Sequence, residues 1–421
     1  MPQINWQKIL IGAVALGLIL TVACYDGQAD VNAPLSPLPF LSSSPLSTPA
    51  ARVRAYLPLV SKNLDRVSWL LQSSPHRAHL PVVMRDCDYP PATPSPTPTK
   101  AVERPTPRPT PAWPLALSQP GRSKLGLHVI QNNSPDIMEF IRRTKPAVIK
   151  GLGGFGWSTD VKRVSPETVT VARLLEDPDE GIMEGDPEKF AQDFVARHVE
   201  EYLLNPGVDY WEGWNEPVPG SNMAWYARFE AERTRRMADH GLRVAIGGFA
   251  TGTPEWDQFV EFVPAVQVAL AHGGILTLHE YAAPTLDYRM GQALPGHPAY
   301  PNRGLLMLRY RWWYEGLLRP RGLIIPLVIS EGGIDGQVQQ DLAPPGLGWR
   351  DFTKYWARKG LGKDGAQAYI RQLAWYDHQM QQDDYVIGVA IFTAGSPRGH
   401  WPSFDITAIL PALAEYAVSQ Q

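Results

Sequence analysis

The sequence predicts an α/β chain whose main body is a (β/α)8 TIM barrel, preceded by an export signal and a Pro-rich disordered linker. Three observations predict it. Eight short apolar runs with strand character alternate with amphipathic or loop segments between Arg122 and Gln421. Strands alternating with helices imply a parallel sheet, and eight such units in about 300 residues suit a closed barrel. Ahead of Arg122 the chain is dense in proline, and it opens with an apolar stretch behind a basic residue. A doubly wound open sheet uses similar alternation, so the number of units alone does not separate the two architectures.

At the start, Lys8 precedes an apolar run from Ile9 to Ala23. That run is short for a membrane span, which needs about 20 residues, and it suits the core of a signal peptide. Cys24, after Thr21-Val22-Ala23, resembles a lipoprotein cleavage site, although the usual Leu stands one place too far upstream, at Leu20. Residues 1–24 are therefore read as a signal peptide or as a membrane or lipoprotein anchor. Either reading makes the chain exported, extracellular or cell-surface, with the N-terminus as its tether to a membrane or envelope. Residues 25–121 read as a low-complexity linker. The proline-rich stretches 89–99 and 104–111 favour extended polyproline II and act as semi-rigid spacers. A short repeat pairs residues 54–60 with 77–83; it reads as a paired docking motif or as two apolar patches in the linker.

The catalytic-size domain spans 122–421. Its strands are expected at 124–130, 147–150, 169–174, 208–213, 243–248, 275–281, 323–330 and 386–393. Amphipathic stretches at 190–204, 225–240 and 365–382 precede the fourth, fifth and eighth strands. The last carries Ile370, Leu373, Ala374 and Met380 at the spacing of one helix face.

Composition narrows the chemistry. With 39 basic and 42 acidic residues the net charge is -3, and no basic face for nucleic acid is expected. The two cysteines, Cys24 and Cys87, supply neither a disulfide framework nor a cysteine-rich metal site. The ten histidines form no metal signature, so no metal or organic cofactor is expected. The glycine pattern from Gly151 to Gly156 resembles a dinucleotide loop. However, it follows the second strand, and little room is expected for the required helix, so a flexible glycine-rich loop is the simpler reading. The 14 Trp and 16 Tyr are rings that bury well and also stack on sugar faces.

Working groups of such a barrel sit at the C-terminal ends of its strands. The fourth leads to Asn215-Glu216-Pro217, the sixth to His279-Glu280-Tyr281 and the seventh to Glu331-Gly332-Gly333. Strands four and seven face each other across the mouth, so Glu216 and Glu331 can converge. Glycoside hydrolysis needs two carboxyl groups flanking one bond, about 5 to 5.5 Å apart when configuration is retained. Trp214 and Pro217 are expected to give Glu216 apolar surroundings that raise its pKa. The two glycines after Glu331 are expected to leave room for a ligand. Period-2 geometry places His279 and Tyr281 on the inner face and turns Glu280 outward as a structural residue. His128 ends the first strand and reads as a mouth or core residue. Trp157 reads as a stacking platform or core, while Trp211 and Glu212 read as structural.

Asn-Glu-Pro on strand four with a Glu on strand seven resembles glycoside hydrolase clan A, in its family 5 and family 39 branches. The resemblance implies Glu216 as acid/base and Glu331 as nucleophile of a retaining enzyme. It implies that Asn215 donates to the sugar 2-hydroxyl. His279-x-Tyr281 is similar to the clan's His-x-Tyr, which implies that Tyr281 orients the nucleophile and His279 lines the site. Many members place a Trp at the end of strand eight; here Phe392 or a folded-back Trp401 takes that place. Some place an Arg on an early strand, for which Lys150 and Arg173 are the candidates. The substrate implied is an oligo- or polysaccharide with β-linkages. The other reading is a carbohydrate-binding barrel with weak or no catalysis, used for surface attachment. Loops 176–187, 282–303 and 333–350 are expected to set specificity, the last carrying Trp349 as a lid or subsite wall.

Overall fold

A computed structural model describes residues 122–421 except 131–133, 176, 339–346 and 397–399. Earlier in the chain it describes only Ile11–Gly12 and Thr21–Val22, paired antiparallel. The signal or anchor, Cys24, the linker and its repeat otherwise lie outside the described residues.

Eight parallel strands close into a barrel. They are β1 (Leu125–Val129), β2 (Val148–Leu152), β3 (Val169–Arg173), β4 (Tyr210–Glu212), β5 (Val244–Phe249), β6 (Ile275–Ala282), β7 (Leu327–Ile334) and β8 (Val386–Ala394). Each pairs with the next, and β8 pairs back onto β1. The closed barrel rather than the open sheet is thus the observed architecture. Most expected strands agree within a few residues. The seventh starts four residues later and runs four further. Pro326 has no N–H for a ladder, and pairing begins when the Leu327 N–H donates to the Tyr385 carbonyl. Glu331 consequently lies inside a strand rather than beyond its end.

The helices start where short polar caps precede a proline or a small residue. Ser134 caps α1 (Pro135–Thr144), and Asp186 caps α3 (Pro187–Leu204) ahead of a proline at its first position. Asp364 caps the helix Gly365–Met380. A seven-residue helix, α2 (Ser158–Val164), does follow the glycine-rich turn, where the sequence suggested little room. Gly153 and Gly154 take φ of 61° and 58°, and the short turn Phe155–Trp157 leads into that helix. The segment is ordered into a tight turn instead of an open loop. α4 (Met223–Asp239) packs on β5 and reaches β4 through Arg233, and α5 (Trp256–Ala271) packs on β5 and β6.

Inside the barrel, Val148, Val169, Val171, Tyr210, Ala245, Ile275 and Val328 form a small apolar plug. The larger core lies between strands and helices. Above the plug the interior turns polar, and this change positions the site.

Candidate active site

Glu216 stands four residues beyond β4. Its backbone takes φ of 45°, which costs a residue with a Cβ about 1–2 kcal/mol. Its N–H donates to the Gly248 carbonyl at 3.0 Å. Gly248 is itself at φ 61°, and a Cβ there would lie 2.9 Å from the Trp214 carbonyl oxygen. The end of β5 therefore requires glycine to hold the Glu216 turn. From beneath, Arg233 of α4 braces this rim. It is fully buried, pairs with Glu230 at 2.7 Å and donates to the Trp211 and Ala245 carbonyls at 3.2 and 3.0 Å.

The Glu216 side chain is 40% exposed, and its Oε1 meets His279 Nδ1 at 2.8 Å. Trp214 does not wall it. That ring stacks on Phe229, Tyr226 and Trp225 in the helix layer. The apolar flank suggested by the sequence is spent on packing.

Glu331 is buried. Lys150 Nζ lies 3.0 Å from its Oε1, and the Tyr281 hydroxyl donates to Oε2 at 3.0 Å. His128 Nε2 and His279 Nε2 stand 3.6 and 3.7 Å from Oε1. One imidazole, His279, thus faces both carboxyls, Glu216 on Nδ1 and Glu331 on Nε2. Burial would push the Glu331 pKa up. The charges around it, chiefly His279 and Lys150, outweigh burial and hold it well below the usual carboxylate range. Burial also drops His128 to about 3, so that ring is neutral at ordinary pH and the fixed positive charge beside Glu331 is the lysine. The Thr393 hydroxyl donates to the His128 carbonyl and therefore accepts from Nδ1–H. His128 Nε2 is left as an unpaired buried acceptor.

Several expectations change here. Lys150 and His128, candidates for substrate contact, are fully buried beneath the rim. Lys150 bridges two carboxylates, with Glu212 Oε2 at 2.8 Å on its other side. Glu212, read as merely structural, is thus part of the polar interior. Burial raises its pKa, but Lys150 and His279 outweigh this and bring it to about 2. Its signal in the sequence was parity: Tyr210 and Glu212 share the inward face of β4. Trp157, a candidate platform, is only 7% exposed and joins the core. Trp349 is likewise buried, stacked on Tyr369 at 5.3 Å, so it is no subsite wall. Residues 339–346 of that loop lie outside the described residues. The glycines after Glu331 give room to the protein itself. A Cβ on Gly332 would lie 2.8 Å from Val389, and one on Gly333 would lie 2.7 Å from the Tyr369 hydroxyl.

Phe392 at the end of β8 lies 4.7 Å from His128, 6.2 Å from Tyr281 and 5.6 Å from Trp401, centroid to centroid. Trp401 is 41% exposed, so it does fold back to the mouth beside Phe392. Asn215 donates its backbone N–H to Glu180, while its Oδ1 is buried without a partner. Glu280 points outward and accepts from the N–H groups of Leu308 and Arg309 at 2.8 and 2.7 Å and from the Tyr376 hydroxyl at 2.6 Å. It thereby pins the return of the long loop after β6. Asp335, just past β7, was not anticipated. Burial and the nearby charges of Glu216 and Glu331 push its pKa up to about 6, adding a third acid to the mouth. Among the described residues, no group of three or more His, Cys, Asp or Glu is arranged to hold a metal ion.

Fold and rim together define a (β/α)8 barrel with a carboxylate-lined mouth. Solved structures with a similar fold include a family 39 glycoside hydrolase from Bacteroides cellulosilyticus WH2. It is 14% identical, with a TM-score of 0.44 over 71% of this chain and 64% of that one. The endo-β-1,4-mannanase of Thermotoga petrophila is 11% identical, TM-score 0.41, over 72% and 79%. A family 5 glycoside hydrolase of Prevotella bryantii B14 is 12% identical, TM-score 0.40, over 70% and 97%. The chain thus spans just under two thirds of the first of these. No protein-family model and no curated protein matches the chain.

Proposed function

We propose that this chain is an exported glycoside hydrolase that cleaves a β-linked glycan with retention of configuration. The observation that carries the reading is the contrast between two carboxyls facing one imidazole. Glu331 is buried, ion-paired with Lys150 and held by Tyr281, which suits an ionised nucleophile. Glu216 is open to the mouth and bonded to His279, which suits a group that gives and takes a proton.

In this mechanism the Glu331 carboxylate attacks the anomeric carbon. The bond to the leaving oxygen breaks as Glu216 delivers its proton to that oxygen. Glu216, now ionised, takes a proton from water, and the resulting hydroxide displaces Glu331 from the anomeric carbon. Asn215 binds the sugar 2-hydroxyl, and Phe392 with Trp401 flanks the ring. Tyr281 keeps its proton, since burial and Glu331 push its pKa well up, and so it donates throughout. Export and tethering rest on residues 1–24 and the proline-rich stretch.

The test is turnover of activated aryl β-glycosides. Glu331→Ala abolishes it, and azide partly restores Glu216→Ala, giving a glycosyl azide. Full activity in Glu331→Ala sinks the assignment. A chain that binds glycans without cleaving any belongs to the binding-barrel class.

A further inference from the structure

Arg173 ends β3 on the same face as Val169 and Val171, both part of the barrel's apolar plug. Its side chain therefore turns inward at the rim, one step above Lys150, whose strand partner is Val171. It is 8% exposed. Its Nε is buried without a hydrogen-bond partner, and among the described residues no acceptor pairs with the rest of the guanidinium.

That is exceptional among the described residues. The other buried cations all have partners. Lys150 has Glu212 and Glu331, Arg233 has Glu230, and Arg311 has Asp383. Arg309 donates to the Pro254 and Leu305 carbonyls, and Lys124 to those of Asp383 and Val386. A buried Nε–H without a partner is unfavourable, and a guanidinium offers five donors in a planar fork that fits an oxyanion. Glu180 and Glu331 act on Arg173 through space only. Glu180 also holds the backbone of Asn215, whose Oδ1 is a second buried orphan. One unpaired donor fork and one unpaired acceptor therefore lie within reach of the same carboxylate's charge, at the edge of the site.

We propose that Arg173 receives an oxyanion carried by the substrate sugar, a uronic-acid carboxylate or a sulfate ester, while Asn215 accepts from a neighbouring hydroxyl. The proposal rests on the hydrolase reading for its substrate but not for its binding test.

Calorimetric titration uses D-glucuronate, D-galacturonate, glucose 3-sulfate and glucose 6-sulfate, with glucose as the neutral control. At least one anionic sugar binds about 10- to 100-fold tighter than glucose, the scale of a charge-assisted contact. Uronates ahead identify a carboxylate, and sulfates ahead identify an ester. Arg173→Met removes the preference, and Arg173→Lys keeps part of it. Arg173→Met also melts no lower than the parent, because no partner is orphaned, and the anionic sugar raises Tm only where Arg173 is present. Equal affinity for glucose and all four anionic sugars overturns the proposal. So does a preference that survives Arg173→Met, or a Tm loss that reveals a native partner. Arg173-dependent binding with no glycoside cleaved removes the hydrolase and leaves the receptor. Cleavage of neutral aryl glycosides with no anionic preference does the reverse.

Discussion

Replacing Lys150 with Met tests the centre of the site. The ammonium lies 2.8 Å from Glu212 and 3.0 Å from Glu331, and among the described residues no other fixed cation touches either carboxylate. At 3.0 Å and an effective dielectric of ~20, each contact is worth about 5 kcal/mol before desolvation. Removing one partner of a buried ion pair costs about 3–5 kcal/mol in practice. Methionine fills the space but leaves two facing carboxylates without compensation. Glu331 then loses one of the two charges, the other being His279, that chiefly outweigh its burial, and its pKa climbs. Titration of the Glu331 13Cδ resonance reads this directly, and the acidic limb of kcat/KM moves up with it. The sign for stability follows. A depressed folded pKa stabilises above the unfolded value and is lost as pH falls through the folded one. Lys150→Met lacks that stabilisation at neutral pH and melts lower. Lys150→Met/Glu212→Gln regains part of the stability without restoring the titration. A Glu331 midpoint that moves by less than about half a unit refutes the reasoning.

Tyr281→Phe removes the 3.0 Å donation to Glu331. A hydrogen bond to a charged group is worth about 1.5–3 kcal/mol, so kcat falls about 10- to 100-fold, with KM little changed, in steady-state kinetics on an aryl glycoside. Burial raises Glu280 from 4.5 to about 7, against donations from Tyr376 and backbone N–H groups. A raised carboxyl pKa gives stability that is full below the unfolded value and lost as pH rises through the folded one. Denaturant melts should thus show the parent losing up to about 3 kcal/mol between pH 5 and 8, and Glu280→Gln losing less. Arg233→Ala strands the buried Glu230 beneath the Glu216 turn. It costs about 3–5 kcal/mol in urea melts, whereas a loss confined to activity would mean the pair does not support the rim.

The alternation of apolar runs was enough to predict eight parallel β/α units, because each strand must bury both faces; that they close into a barrel is set by the pairing of β8 back onto β1. Parity along single strands was equally readable. His279 and Tyr281 turn inward and Glu280 turns outward, since side chains on a strand alternate whatever surrounds them. The same rule was available for Glu212 and Arg173. What parity cannot supply is the partner. Lys150 meets Glu212 and Glu331 only because β2, β4 and β7 converge on one interior. Residues 62 and 181 positions from Lys150 become its neighbours.

Rings show the limit most clearly. Trp157, Trp214 and Trp349 carry the same apolar surface as Trp401, and the sequence places each near the mouth, as platform, flank of Glu216, subsite wall or folded-back ring. Three are enclosed by helices packing over them, and only Trp401 is left open at the mouth. The sequence by itself determined the order of strands and the inward carboxyls, because those follow from local periodicity. Tertiary structure alone decided which carboxylate is paired, which ring is free and which arginine has no partner. Each of these depends on groups far apart in the chain meeting, or failing to meet, in one small volume.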